Sequence, residues 1–111
     1  MTVDDLLKAE IFKTLKEGDD LKREISGVFN CDLLSIAMSK APSDCAWVTV
    51  MGNINTLAVA TLADVSCIIL AEGVAFDEAG SAKLASTDVT VLTTDMPVFE
   101  ASLKVHELIN A

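Results

Sequence analysis

The polar residues of this chain that could do chemistry fall at four short joints: Asn30-Cys31-Asp32, Gly52-Asn53-Ile54-Asn55, Glu72-Gly73 and Thr93-Thr94-Asp95. Each follows a short apolar run and precedes a segment of helical spacing, so each marks a strand handing over to a helix. In an open parallel sheet these handovers gather at one edge, beyond the carboxyl ends of the strands, and ligands bind there. Free N–H groups at the helix starts then face an anion or the edge of a polar ring. Asp32, Asn55 and Asp95 also stand where helix caps are expected, and a cap accounts for each without a ligand. If Asn55 caps its helix, Asn53 is left over, which makes Asn53 the stronger ligand candidate. Gly52 and Gly73 supply turns.

Other reactive side chains lack company. Cys31 beside Asp32 at a helix start has the setting for a lowered thiol pKa, but no partner histidine is identifiable and a structural thiol is the expectation. The single histidine, His106, lies in the last helix beside Glu107, with no orienting group or nucleophile nearby in sequence. Ser35 and Ser39, one helical turn apart, read as surface positions. Glycine-rich phosphate loops, H-E-x-x-H and G-x-S-x-G are absent. Neither enzyme activity, a cofactor nor a metal is expected.

The elements that position these joints are legible from periodicity. Thr2 or Asp4 opens a short helix. Ile11 to Leu15 fits a continuation of that helix or a strand, and Gly18-Asp19-Asp20 ends it in a turn. Arg23 to Phe29 reads as extended. Asp32 is expected to cap a helix from Leu33 to Ala41, and Pro42 stops it. Ala46 to Met51 is the clearest strand, apolar on both faces except at Thr49, as a central parallel strand is. Asn53 or Asn55 then caps a helix from Thr56 to Ala63 that is apolar nearly all round, which implies cover on more than one side. A second copy of the chain is one source of that cover, with Leu57, Val59 and Leu62 as the interface. Val65 to Leu70 is a third strand, Asp77 to Ser86 a weak helix, Thr90 to Thr93 a fourth strand. Asp95 and Pro97 open the last helix. The alternation predicts an α/β domain with a mostly parallel sheet of four to five strands covered by helices.

Composition bounds the partners. The 111 residues are 51% hydrophobic, enough for one domain with its own core. Eight basic against seventeen acidic residues give a net charge of −9, which repels nucleic acid and an anionic membrane surface alike. Only three of the bases lie beyond Glu24, so a nucleotide there would depend on backbone N–H groups. Three cysteines without a C-x-x-C pair, each in or beside an apolar run, read as reduced thiols of a cytoplasmic protein. The first ten residues carry no basic stretch of the signal-peptide kind. The longest apolar reach, Leu57 to Ala71, is broken by Asp64 and falls short of the roughly 20 residues of a bilayer span.

Several runs together resemble a known family. They are Lys22-Arg23-Glu24-Ile25-Ser26-Gly27-Val28, then Cys31-Asp32-Leu33-Leu34-Ser35, then Trp47-Val48-Thr49-Val50 on to Asn55, with Ala58-Val59-Ala60. This pattern resembles the DRTGG domain, and the similarity continues through Ile68-Ile69, Glu72-Gly73, Val91-Leu92-Thr93-Thr94 and Phe99-Glu100. In the naming motif Arg23 and Gly27 match, whereas Lys22, Ser26 and Val28 replace the usual Asp, Thr and second Gly.

The resemblance implies a single three-layer α/β/α domain over residues 1–111, like the N-terminal domain of HPr kinase/phosphorylase. Such domains accompany phosphotransacetylases and pyrophosphatases with CBS domains, or stand alone, as regulatory or assembly modules that are often dimeric. The family's recurrent polar positions match at Asp32, Ser35, Asn55 and Thr94. With Asn53 these are the residues expected at a ligand rim. The resulting expectation is a homodimeric, non-catalytic regulatory domain that senses a small metabolite or nucleotide, or docks on a partner enzyme. A ligand-free scaffold subunit is the alternative, and a phosphorelay acceptor using His106 or Ser35 the third reading.

Overall fold

The computed structural model describes residues Met1–Ala111. In chain order the elements are α1 (Val3–Lys8), β1 (Lys13–Lys16), β2 (Gly27–Asn30), α2 (Leu34–Lys40), β3 (Cys45–Thr49), α3 (Ile54–Ala63), β4 (Cys67–Leu70), α4 (Glu78–Leu84), β5 (Thr90–Thr93) and α5 (Val98–Ile109). The five strands form one sheet in the order β1-β5-β4-β3-β2, parallel throughout except that β1 runs antiparallel to β5. The ambiguous Ile11–Leu15 segment therefore bends at Ile11 and Phe12 and becomes an edge strand from Lys13. The extended reading of Arg23–Phe29 begins as a strand only at Gly27.

From β2 to β5 the strands lie side by side in sequence order, with no reversal. Successive right-handed crossovers then put α2, α3 and α4 on one face, and α1 and α5 close the other, which makes the three-layer α/β/α arrangement. Alternation along the strands feeds two cores. Cys45, Trp47, Ile68, Leu70 and Val91 face the three crossover helices, where they meet Ala37, Leu57 and Ala60. Ala46, Val48, Cys67, Ile69 and Leu92 face α1 and α5, where they meet Val3, Leu6, Ala101 and Val105. Every residue of β3 and β4 is buried, the pattern of strands covered on both sides.

The helix that reads as apolar all round owes its cover to its own chain. As the middle helix of three it lies on the sheet with α2 on one flank and α4 on the other. Leu57 and Val59, expected on an intersubunit face, are only 3% and 4% exposed and belong to the internal core, whereas Leu62 is 71% exposed. The interface expectation is thus corrected at Leu57 and Val59. No helix is long and apolar enough to cross a membrane.

Candidate functional site

The parallel register aligns the carboxyl ends of four strands, with Asn30 opposite Val48, Thr49 opposite Leu70 and Leu70 opposite Thr93. The four joints therefore do share one edge, and neighbouring joints are tied to one another. The Asp32 carboxylate accepts from the Thr49 hydroxyl at 2.9 Å and from the Val50 amide at 3.1 Å, linking the first joint to the end of β3. The Asp77 amide donates to the Gly52 carbonyl at 2.7 Å, linking the second to the loop before α4. A Cβ on Gly52 would lie 2.2 Å from the Ala75 carbonyl oxygen, so only glycine lets these two segments approach so closely. The amides of Gly73 and Glu72 donate to the carbonyls of Thr94 and Met96 at 3.0 and 2.9 Å, linking the third joint to the fourth.

This lacing uses most of the polar side chains singled out by sequence. Asp32 is not a helix cap: the N-cap position of α2 is Leu33, with no side-chain cap, and Asp32 instead holds the end of β3. Asn53 is the cap of α3, its Oδ1 accepting from the Thr56 amide at 3.2 Å, so the surplus asparagine is Asn55. Asn55 lies in the first turn of α3 and lines a separate groove between α3 and the segment Lys83–Asp88. The Thr94 hydroxyl accepts from the Met96 amide at 3.2 Å. Ser35 is exposed in the first turn of α2. Asp32, Asn53 and Thr94 thus build the rim, and Ser35 and Asn55 stand apart from its bonded network.

One part of the rim is hollow. A groove of about 420 Å³ opens where the third and fourth joints meet the edge of the sheet. Its walls include Lys13 and Leu15 from β1, Gly73 to Phe76 from the loop before α4, Ser81 and Leu84 from α4, and Thr93 and Asp95. Such a volume and a mainly apolar lining with a few polar groups suit a small molecule. Gly73 adopts φ +71°, and a Cβ there would stand 3.0 Å from Asp95 Oδ1. Sequence reasoning named Gly73, Thr93 and Asp95 as joint residues but missed Lys13 and Leu15. Four residues with a bulge between Thr14 and Lys16 carry no usable alternation, and nothing local reveals that β1 pairs with a strand more than seventy residues away.

The resemblance motif lies at the opposite edge. Arg23 Nε donates to Asp44 Oδ1 at 2.8 Å, and its Nη2 stands 2.7 Å from Asp44 Oδ1 and 2.9 Å from Asp64 Oδ1. Burial works against the guanidinium charge, but these two carboxylates outweigh it and raise the pKa. Asp44 and Asp64 both have left-handed backbone, φ 66° and 61°, in the turns that lead into β3 and β4. Arg23 therefore clasps two turns that L residues rarely adopt. A smaller hollow of about 290 Å³ beside it is lined by Asp19, Asp20, Asp64 and Asp88, and its one cation, Arg23, is already engaged.

The remaining reactive groups are dispersed. All three cysteines are free thiols, with Cys45 and Cys67 buried and the Cys31 thiol donating to the Leu33 carbonyl at 3.3 Å. Burial pushes the Cys45 thiol up to about 11 and the Cys67 thiol up to about 12. His106 is exposed, and its only close side-chain neighbour within hydrogen-bonding range is Asn110. No group of three or more His, Cys, Asp or Glu is placed to hold a metal ion. Compared with known proteins, the chain matches no family model and no curated sequence.

Proposed function

We propose that the chain is a non-catalytic regulatory domain of the DRTGG kind that senses a small molecule at its carboxyl-terminal rim and passes the signal to a partner enzyme. The observation that carries this reading is the groove of about 420 Å³ between β1, α4 and the carboxyl end of β5, an apolar-lined hollow with a few polar groups. Its lining holds a lysine, an aspartate and two hydroxyl residues, but no nucleophile paired with a base, so binding rather than turnover is the activity it suits. Three free thiols fit a reducing, cytoplasmic setting. We take the working unit to be a homodimer.

The experiment is a thermal-melting screen of the full chain against nucleotides, acyl phosphates and small metabolites, because a ligand at 100 times its dissociation constant adds about 2.7 kcal/mol to folding stability. A rise in melting temperature with one chemical class is the expected result. A flat response across all classes overturns the sensor reading in favour of a ligand-free scaffold. That second reading has its own support, since Phe99 and Leu103, one turn apart on α5, are 75% and 40% exposed and uncovered by the chain itself.

A further inference from the structure

Three crossover helices cannot cover a five-stranded sheet. Each of α2, α3 and α4 spans the step between two successive parallel strands, so cover on that face ends near β5 and β1 projects beyond it. Lys13 pairs in register with Thr93, which strand alternation puts on the face of Val91 among the crossover helices. A bulge between Thr14 and Lys16 breaks the alternation of β1, so that Lys16 comes opposite Val91 and its Nζ donates to the Ala85 carbonyl at 3.0 Å, while Leu15 lines the groove. Leu15 is 39% exposed for this reason. The result is a groove with an apolar floor of Leu15, Phe76 and Leu84 and two charges on its border, Lys13 and Asp95.

Those two charges are uncommitted. The ion pairs of the chain join Met1 to Glu24, Lys8 to Asp4, and Arg23 to Asp44 and Asp64, and neither Lys13 nor Asp95 is among them. The Thr93 hydroxyl between them makes no hydrogen bond within the chain. A phosphate-bearing ligand would find a single cation there and meet the Asp95 carboxylate, so its second charge would be repelled. A simple carboxylate would face the same carboxylate, and a simple amine would face Lys13. A molecule carrying one charge of each sign satisfies both borders at once.

We propose, resting on the sensor reading above, that the groove takes a small zwitterion with an apolar side group, an amino acid of the leucine or phenylalanine kind. Its carboxylate pairs with Lys13, its ammonium with Asp95, and its side group lies on Leu15, Phe76 and Leu84. The proposal concerns binding alone and involves no bond making.

The test is an amide-resolved NMR titration of the isotopically labelled chain with L-leucine and L-phenylalanine. In parallel go 4-methylpentanoate, which lacks the ammonium, 3-methylbutylamine, which lacks the carboxylate, and ADP. Saturable shifts confined to Lys13, Gly73, Thr93 and Asp95 are expected with the amino acids, at least ten-fold weaker with either single-charge analogue. Lys13→Gln and Asp95→Asn, whose spectra also report whether they fold, are each expected to weaken binding ten-fold or more. Equal affinity for an amino acid and its single-charge analogue overturns the proposal. Shifts of the groove by ADP alone overturn it too while leaving the sensor reading intact, and silence of the groove toward every compound of the melting screen removes both.

Discussion

At the scale of single residues, the side chains that look available in sequence are mostly committed to holding the rim together. Asp32 is the clearest case. Its carboxylate satisfies the hydroxyl of Thr49, which is fully buried, and the Val50 amide. Asp32→Ala is expected to cost about 1–3 kcal/mol, the penalty for an unsatisfied buried polar group, and Asp32→Asn, which keeps an acceptor oxygen, distinctly less. Urea denaturation of both variants checks this, and equal losses would mean the acceptor oxygen is not what matters. Arg23→Ala should cost about 1.5–3 kcal/mol by releasing Asp44 and Asp64, without altering any ligand response at the other edge. The buried thiols give a pH signature. Cys45 and Cys67 bind their protons more tightly in the folded chain, so their contribution is full below pH 9 and is lost as pH rises through about 11 and 12. Chemical denaturation midpoints should therefore fall from pH 9 to 11, and less steeply in Cys67→Ala. Sequence told which positions are polar, but not whether Asp32 would bond forward into a helix or sideways to a neighbouring strand. Both choices lie within reach of a residue at that joint, and only strand adjacency decides.

Elements were more legible than side-chain roles. The alternation of β-branched runs with helical segments predicts the parallel sheet because strands buried on both faces must be apolar throughout, and β3 and β4 are. Two elements were read only in part, for opposite reasons. The Lys13–Lys16 strand is short and charged, as an edge strand should be, and so carries no periodicity that separates it from a helix end. The Ile54–Ala63 helix carries too much apolar surface to show which side is covered, and its flanking helices rather than a second copy bury Leu57 and Val59. Leu57→Ala should then cost about 2–5 kcal/mol, whereas Leu62→Ala should change stability by no more than about 0.5 kcal/mol, both read from denaturant midpoints. A large loss at Leu62 that depends on protein concentration would reveal that another molecule covers it.

At the scale of the whole molecule, the sheet order explains where a ligand can and cannot sit. Because β2 to β5 follow one another without reversal, no crevice opens between helices on opposite faces at the strand ends. The opening comes instead from a fifth strand that outruns its helical cover. A net charge of −9 with only three bases beyond Glu24 keeps polyanions away from this surface. The chain should accordingly show no salt-dependent retention on duplex DNA in an electrophoretic shift assay, and retention would contradict the electrostatic argument.

The pairing of Lys13–Lys16 with Thr90–Thr93 has a consequence for timing as well as shape. One bank of the groove comes from early in the polypeptide and the other from late, so a guest held between them acts as a buckle across more than seventy intervening residues. Occupancy should slow the transient peeling of that outermost strand, visible as reduced amide deuteration at positions 13–16, while the deeply sheltered β3 and β4 exchange at their former pace. Under the proposed sensor reading, a bound metabolite would register as the tightness of one border strand, without any wider rearrangement of the fold.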